Sequence, residues 1–215
     1  LSLQGFIPHN QKFILEKNFD NHLTPPKDLW VNYGSNSREY LESGLIDSKK
    51  IAKSTSIKIK SNLVILDYGC AAGRVTRHLN KVFKNSHVYG CDLSAEHINW
   101  AKENLPDSGI FFTNNPNANL PFQDNTFNLI FCGSVFTHID EMLEYCLLDL
   151  VRTLKKKGEA LITFNDERVI KKILNNNTNT QFQKIMKKHL TDLKKYPSFK
   201  KITLDKYNGC YVFVN

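Results

Sequence analysis

The sequence lacks several features that would identify other classes of protein. No apolar run approaches the roughly 20 residues that a helix needs to span a bilayer, and the amino-terminal residues lack the pattern of a secretory signal peptide. The five cysteines form no C-x-x-C pair, and the histidines show no metal-ligand spacing. We therefore expect a cytoplasmic protein without a metal site, in which the cysteines are reduced and buried.

The length of 215 residues is typical of one domain with a substantial core. The chain begins at Leu1 and not at methionine, which leaves a fragment, a processed form and a trimmed form open. We find no internal repeat in the sequence. The sequence does not define the oligomeric state.

Positive charge is concentrated in one segment of the chain. The formal net charge is +8, and residues 151–201 hold 14 of the 29 Lys and Arg residues but only four of the 21 Asp and Glu residues. Such a segment can meet nucleic acid, an anionic lipid surface or an acidic substrate. Because aromatic residues do not alternate with the lysines, as a base-stacking surface requires, we favour a solvated basic face.

The stretch 63–92 organises the rest of the chain. It reads as a buried strand at residues 63–66, a turn of small residues at 69–73, a helix at 74–83 and a second strand at 87–91, followed by Asp92. Glycine tolerates positive φ, and small side chains let the backbone approach a ligand closely. In doubly wound sheets, a unit of this kind binds a nucleoside-containing cofactor at the carboxyl ends of the strands.

The spacing of the glycines distinguishes two cofactor classes. A dinucleotide fingerprint, G-x-G-x-x-G, would need glycines at Ala71 and Arg74, which argues against a nicotinamide oxidoreductase. The run DYGCAAG, from Asp67 to Gly73, instead resembles motif I of class I S-adenosylmethionine (SAM) methyltransferases, with alanine replacing the middle glycine. Asp92, nineteen residues after Gly73, lies where that family places the carboxylate that accepts both ribose hydroxyls.

Two further blocks extend this resemblance over roughly residues 30–165. Residues 120–132 resemble the family's L-P-F block, with Asn128 in place of its usual aspartate. The run RTLKKKGEALITF resembles the R-x-L-K-P-G-G block, with Lys157 and Glu159 in place of the proline and the second glycine. The chain is therefore identified as a member of the class I SAM-dependent methyltransferase superfamily and resembles its small-molecule methyltransferase-like domains.

The resemblance implies an α/β fold. We expect a Rossmann-like, doubly wound, mostly parallel seven-stranded sheet, or a slightly reduced version of it, with a C-terminal antiparallel hairpin. Asn208 and Gly209 form the turn signal between the two strands of that hairpin, at 201–207 and 210–214. Residues 1–60 are expected to form an N-terminal arm and helical cap, and residues 61–215 the SAM-binding Rossmann-like methyltransferase core.

Capping residues and apolar periodicity predict the other elements. We expect a helix capped by Ser37 that Gly44 ends, a second helix from Asp47 to about Ala52, a helix capped by Ser94, strands at 110–113, 127–132 and 159–164, a helix at 141–154 that Gly158 stops, and a basic helix at 181–193. The lysines at 155–157 would favour the carboxyl end of the 141–154 helix through its macrodipole.

The resemblance also implies cofactor contacts. Leu93 would pack on the adenine, and an asparagine would replace the acid that other members direct at the adenine amino group. Four asparagines are candidates for that position, namely Asn114, Asn115, Asn117 and Asn119. The residues implied to bind SAM, or S-adenosylhomocysteine as product, are Asp67, Gly69, Cys70, Ala71, Gly73, Arg74, Asp92, Leu93, Asn115, Asn117, Cys132, Ser134 and Tyr33.

Two regions supply candidates for other roles at the site. Tyr33, Gly34 and Arg38 are either lid or carboxylate contacts, or they pack and solvate the N-terminal helices. His138, just after the strand at 127–132, is the candidate general base, or it caps or packs beneath the following helix. Asp166 is a weaker candidate for the same role.

The acceptor is not defined by these motifs, because acceptor contacts in this family come from variable insertions and termini. Trp30, Tyr33 and Tyr40 offer aromatic surface suited to closing over a compact ligand, and no nucleic-acid module is recognised. We therefore expect a small-molecule or glycan-like acceptor. The alternatives are a catalytically inactive SAM-binding sensor or subunit, and a nucleic-acid methyltransferase that uses the basic segment 151–201.

Overall fold

The structure, a computed structural model, describes residues 23–57, 62–136, 138–139 and 142–163. A 3-10 helix, Lys27–Trp30, is followed by α1 (Ser37–Ser54), β1 (Val64–Tyr68), α2 (Thr76–Val82), β2 (His87–Asp92), α3 (Ala95–Asn104), β3 (Ile110–Thr113), β4 (Phe127–Cys132), α4 (Leu143–Thr153) and β5 (Leu154–Ile162). The strands form one parallel sheet in the order β3-β2-β1-β4-β5. Within the described residues, these five strands agree with the predicted Rossmann-like, doubly wound parallel sheet. The predicted hairpin at 201–214 and helix at 181–193 lie outside the described residues.

β1 lies at the centre of the sheet because it is apolar on both faces. Ile65 and Leu66 point to opposite faces, as successive residues of a strand do, and both are fully buried. Ile65 is paired with Val88 of β2 on one side and with Leu129 of β4 on the other. The chain order therefore reverses at β1, which creates the switch point where α/β sheets bind ligands.

The two faces of the sheet are covered by different helices. On the face of Ile65, apolar residues of α1 and α2 such as Ile51 and Leu79 complete one cluster. On the face of Leu66, the cluster includes Leu150 of α4. Helices on both faces bury the central strands, which explains their continuous apolar sequence.

α1 is one continuous helix, so the predictions that Ser37 caps a first helix, that Gly44 ends it and that a second helix begins at Asp47 are wrong. Its N-cap is Asn36, whose side-chain oxygen accepts a hydrogen bond from the Glu39 N–H at 2.9 Å. Gly44 lies inside the helix and packs against the backbone of Arg74, where a Cβ would overlap the carbonyl oxygen. The glycine serves a close contact between helix and loop rather than a helix end.

β5 begins at Leu154, so the predictions that the preceding helix includes this residue and that Gly158 stops that helix are wrong. The chain passes directly from α4 into a strand that pairs with Phe127 and its neighbours. Lys155 Nζ donates to Asn128 Oδ1 at 3.0 Å instead of facing a helix end. Pairing with β4 outweighs the macrodipole preference of the lysines, which is worth only about 0.3–1 kcal/mol.

Two expectations from composition concern the described residues. Cys70, Cys91, Cys132 and Cys146 are free and buried, as expected, while Cys210 lies outside the described residues. Among the helices of the described ranges, none combines the length and apolar character needed to cross a membrane.

Glu159 ties the end of α1 to the sheet. Its carboxylate accepts hydrogen bonds from the Thr55 hydroxyl at 2.6 Å, from the Ser56 N–H at 3.0 Å and from the Ser56 hydroxyl. Burial acts to raise the pKa of Glu159, but the hydrogen bonds from Ser56 and Thr55 outweigh it and leave the pKa below its ordinary value. The ionised carboxylate therefore stabilises the folded state.

We expect Glu159→Gln to lower the free energy of unfolding by about 1 kcal/mol at neutral pH, a value limited by solvent screening. Because the folded pKa is lowered, this stabilisation is present above the unfolded pKa and is lost as pH falls through the folded pKa. Urea unfolding at neutral pH and near pH 3.5 should show the difference from wild type shrinking in acid. Glu144→Gln, at an exposed position of α4, is the matched control; a difference independent of pH would contradict this account.

Candidate functional site

The carboxyl ends of β1, β2 and β4 bring the motif residues to one edge of the sheet. Tyr68, the last residue of β1, is paired with Cys91 of β2 and with Cys132 of β4. Because all these strands are parallel, the turn after β1, Asp92 at the end of β2 and the loop after β4 meet at that edge. This is the juxtaposition that the sequence predicts.

The backbone of the motif I turn is held against the end of β2. The N–H groups of Gly69 and Cys70 both donate to the Cys91 carbonyl, at 2.8 and 2.9 Å. Gly69, Ala71 and Gly73 have φ values of 77°, 47° and 75°. Ala71 thus adopts the left-handed conformation that glycine adopts most readily, so the missing middle glycine leaves the shape of the turn intact.

At Gly69 and Gly73, the two glycines of the turn, neighbouring protein atoms occupy the space that a side chain would need. A Cβ on Gly69 would overlap Val135 of the loop after β4, and a Cβ on Gly73 would lie 2.8 Å from Leu105 Cδ1 and 3.2 Å from the Phe111 ring. Glycine is needed at both positions because protein side chains close against them. A larger residue would disturb packing as well as any ligand.

Asp92 orients the turn and keeps acceptor capacity for a ligand. Its Oδ2 accepts a hydrogen bond from the Ala71 N–H at 2.8 Å, and its Oδ1 accepts one from the Ser94 N–H at 2.9 Å. A carboxylate offers about four lone-pair sites, so each oxygen can accept a further hydrogen bond. Leu93, the next residue, is 55% exposed and presents an apolar surface beside the carboxylate. A vicinal diol next to an apolar ring would match this pair.

Asp67, the acid of motif I, is buried beneath the turn. It is 2% exposed, and the Thr76 hydroxyl of α2 donates to its Oδ2 at 2.6 Å. Burial raises the pKa of Asp67 to about 6, and the hydrogen bond from Thr76 only partly offsets this effect. The carboxylate therefore titrates within two pH units of neutrality.

Among the four candidate asparagines, Asn114 has a buried side-chain oxygen without a hydrogen-bond partner. Its N–H donates to the Asp92 carbonyl at 3.1 Å, which places it at the end of β3 beside Asp92. Its side-chain Oδ1 is buried and has no hydrogen-bond partner, although buried polar atoms are normally paired. Asn115, by contrast, accepts a hydrogen bond from the Asn117 N–H at 2.9 Å. The sequence offered four candidates, and only burial distinguishes Asn114 among them.

Arg74 and Tyr33 contact each other. The Arg74 guanidinium carbon lies 3.6 Å from the centre of the Tyr33 ring, and Nη1 donates to Asp47 Oδ2 at 2.9 Å. Trp30 and Tyr40, at 7% and 1% exposure, are stacked on each other in a buried cluster. The expectation that Trp30 and Tyr40 present aromatic surface to a ligand is therefore wrong, because Trp30 of the 3-10 helix packs against Tyr40 and Leu41 of α1.

The loop after β4 supplies the remaining predicted residues. Cys132 is fully buried, and burial raises the pKa of its thiol well above the ordinary value. Ser134 is exposed, and its N–H donates to Thr163 Oγ1 at 2.8 Å. His138 is exposed, and its N–H donates to the Val135 carbonyl at 2.9 Å. Within the described ranges, no group of three or more His, Cys, Asp or Glu side chains could hold a metal ion.

A family model described as a methyltransferase domain matches residues 66–162, from β1 through β5. The order of the strands in the sheet, the motif I turn after β1 and the Asp92 carboxylate at the end of β2 together define a class I, Rossmann-like methyltransferase fold. Residues 66–162 accordingly form a domain of the class I SAM-dependent methyltransferase superfamily, which confirms the recognition made from the sequence.

Known proteins similar to the chain agree with this assignment. Probable methyltransferase ltbC of Aspergillus luteorubrus is 31% identical over 111 residues, which cover 46% of this chain and 39% of that protein. The fatty-acid O-methyltransferase of Mycolicibacterium smegmatis is 25% identical over 99 residues, which cover 46% of this chain and 36% of that protein. The chain thus spans well under half the length of these curated relatives. The mmp1179 structure of Methanococcus maripaludis has the same fold, with a TM-score of 0.54, 16% identity and coverage of 76% of this chain and 78% of that one.

The burial of Asp67 predicts a pH-dependent stability. The folded pKa is raised, so the contribution of Asp67 is most favourable below its unfolded pKa and declines as pH rises through about 6. The difference in unfolding free energy between Asp67→Asn and wild type should therefore shift in favour of the variant by about 1–3 kcal/mol as pH rises from about 4 to about 7. Urea unfolding without ligand measures this gain. The exposed Asp107→Asn is the control, and a flat difference for Asp67→Asn would show that the carboxyl is not buried.

Proposed function

We propose that this domain binds SAM at the carboxyl edge of β1, β2 and β4 and transfers its methyl group to a small-molecule or glycan-like acceptor. The observation that supports this most directly is a pair of acceptors with unused capacity, the Asp92 carboxylate and the buried Asn114 oxygen. They lie on adjacent strand ends. A nucleoside presents a ribose diol and an exocyclic amine, which are the donors that such a pair requires.

The residues at this edge fit the cofactor. Asp92 is held by Ala71 and Ser94 in a fixed orientation, so its remaining lone pairs can accept the ribose hydroxyls. Leu93 offers its exposed side chain to the plane of the adenine. Asn114 Oδ1 accepts a hydrogen bond from the adenine amino group, which satisfies an otherwise unpaired buried atom.

Bound SAM supplies a methyl carbon that its sulfonium has already activated, so the contribution of the protein is largely positioning. The motif I turn holds the cofactor edge in one shape through its bonds to β2. The carboxylates of Asp67 and Asp92 provide a negative field that favours a positive sulfur nearby. His138, exposed on the loop after β4, is positioned on the chain to take a proton from an acceptor that must lose one.

Two of the four described cations in the basic segment 151–201 are committed to internal partners, and residues 164–201 lie outside the described residues. Arg152 is paired with Asp149 at 2.8 Å and with Asp124 at 3.0 Å, and Lys155 is bonded to Asn128. Side chains committed to internal partners are poor ligands for a nucleic-acid backbone. We favour a small acceptor over the nucleic-acid alternative because, in addition, aromatic residues do not alternate with the lysines of this segment. The fatty-acid O-methyltransferase among the relatives is consistent with a small acceptor.

An inactive SAM-binding sensor or subunit is the second candidate. It is favoured by the environment of His138, which is exposed. Among the described residues, no side chain is hydrogen-bonded to its imidazole, whereas a general base is ordinarily oriented by a partner. Binding and catalysis therefore need separate measurements.

A thermal-shift series tests the cofactor class first. SAM and S-adenosylhomocysteine at about 100 times their dissociation constants should each add about 2.7 kcal/mol of stability and raise Tm by about 5–10 °C. Nicotinamide dinucleotides should leave Tm unchanged. Stabilisation by a dinucleotide and not by SAM would overturn the proposal. Transfer of label from methyl-labelled SAM to small acceptors then separates an enzyme from a sensor.

Asp92→Ala should weaken SAM binding by about 2–3 kcal/mol, because two charge-assisted hydrogen bonds are lost. Titration calorimetry measures the change in Kd. Asp107→Ala, which removes an exposed carboxylate after α3, serves as the control. A change below about threefold for Asp92→Ala would place the ribose contact elsewhere.

Asn114 can be tested with a matched pair of substitutions. Asn114→Asp keeps an acceptor oxygen and should retain SAM binding, whereas Asn114→Leu removes it and should weaken binding about tenfold. Asn104→Ala, at the far end of α3, controls for the loss of an amide. Equal affinities for the Asp and Leu variants would exclude Asn114 as the adenine contact.

A further inference from the structure

We propose that α1 holds the motif I turn in its cofactor-binding shape through a latch, which we define as Tyr33, Ser43, Gly44, Asp47 and Arg74. The latch residues other than Arg74 belong to the N-terminal part of the chain, and Arg74 directly follows the turn. The inference rests on the proposed function, since its main readout is SAM affinity. It assigns α1 a positioning role rather than a catalytic one.

The Arg74 side chain makes the polar contacts of the latch. It is 8% exposed, and its Nη1 donates to Asp47 Oδ2 at 2.9 Å and to Ser43 Oγ at 3.1 Å. The guanidinium carbon stands 3.6 Å from the centre of the Tyr33 ring, within the range of a cation–π contact. These three contacts all lead to the N-terminal segment, so the side chain fastens the turn to α1.

Gly44 brings the two backbones together. A Cβ at this position would overlap the Arg74 carbonyl oxygen and lie 2.9 Å from its carbonyl carbon. Glycine is unfavourable inside a helix compared with alanine, so local propensity does not explain its presence in α1. The close approach does, because only glycine lets the helix support the Arg74 carbonyl directly.

The turn transmits this support to the ligand-binding edge. The Gly73 N–H donates to the Cys70 carbonyl at 3.0 Å, which closes the turn immediately before Arg74. Ala71, inside the closed turn, donates to Asp92 at 2.8 Å. A displacement of Arg74 therefore moves Ala71 relative to Asp92, and small displacements of positioning groups are costly to binding and catalysis.

The position of the latch explains why two predicted cofactor contacts are turned toward each other. The sequence predicts that Tyr33 and Arg74 contact SAM. In the latch they contact each other and influence SAM binding by holding the motif I turn in shape. The Arg74–Asp47 ion pair is partly buried, and removing one partner of such a pair leaves the other charge without its compensating partner. Substitution of Asp47 should therefore release Arg74 and loosen the turn, while the clusters on the two sheet faces stay packed.

Two variants test the polar and the backbone contact separately. Gly44→Ala should weaken SAM binding about tenfold even though alanine favours the helix, and Asp47→Asn should weaken it about fivefold. Glu42→Gln is the control, because it removes the Arg38–Glu42 ion pair at 2.7 Å on the same helix without touching the latch. Calorimetric titration should show its Kd unchanged.

The cation–π contact has its own matched pair. Tyr33→Phe keeps the ring face and should bind SAM like wild type, whereas Tyr33→Leu removes the ring and should weaken binding about threefold. Equal loss in both variants would point to the hydroxyl group and would remove Tyr33 from the latch.

Amide hydrogen exchange gives a readout that needs no ligand. In Gly44→Ala and Asp47→Asn, the Gly69, Cys70 and Ala71 amides should exchange at least about tenfold faster, while the amides of β1 and β4 keep their protection. Equal acceleration in the turn and in the central strands would make the role of these residues merely structural and would overturn the proposal. So would unchanged exchange in both variants.

The SAM titrations and the hydrogen-exchange experiment together distinguish failure of the latch from failure of the proposed function. A wild-type protein that does not bind SAM contradicts the proposed function, and the exchange experiment then still decides the latch. A wild-type protein that binds SAM, with latch variants that bind it equally well, overturns the latch alone.

Discussion

The hydrogen bonds between the motif I turn and the end of β2 constrain every other feature of the site. Gly69 and Cys70 donate to the Cys91 carbonyl, and Ala71 donates to the Asp92 carboxylate. Three consecutive N–H groups aimed at one strand end fix the backbone of the turn within hydrogen-bonding distance of its neighbour. Asp92 is thereby an internal acceptor and a ligand acceptor at once, and the turn cannot move without disturbing it.

The turn is also enclosed from the sides that do not face the ligand. Val135 closes over Gly69 from the loop after β4, and Leu105 and Phe111 close against Gly73 from α3 and β3. On the remaining side, α1 supports the carbonyl of Arg74. Close-packed neighbours leave the turn one shape, which lowers the entropy that binding must overcome.

Local sequence signals predict several of the strands and helices, whereas the roles of individual site residues depend on contacts between residues that are far apart in the sequence. Strands β3 and β4 and the Ser94 cap agree with expectation, because apolar runs and capping act within a few residues. The local sequence around Gly44 predicts a helix end because the contact that requires this glycine, with Arg74, is thirty residues away in the chain. Asn114 could not be separated from its neighbouring asparagines, because only burial in the folded chain distinguishes them. Propensity gives no information on such contacts.

Two departures from the family pattern, Asn128 and Glu159, lie away from the cofactor edge. Asn128 Oδ1 accepts hydrogen bonds from the Val64 N–H at 2.9 Å and from Lys155, which fastens the amino end of β1 to β4 and β5. Glu159 holds the residues after α1. Each replacement thus adds a contact that secures the frame, and the acidic edge at Asp92 is unaltered by them. These two departures therefore give no support to a loss of cofactor binding, and at the cofactor edge itself Ala71 adopts the left-handed backbone conformation of the glycine that it replaces. The choice between enzyme and sensor depends on the loop after β4.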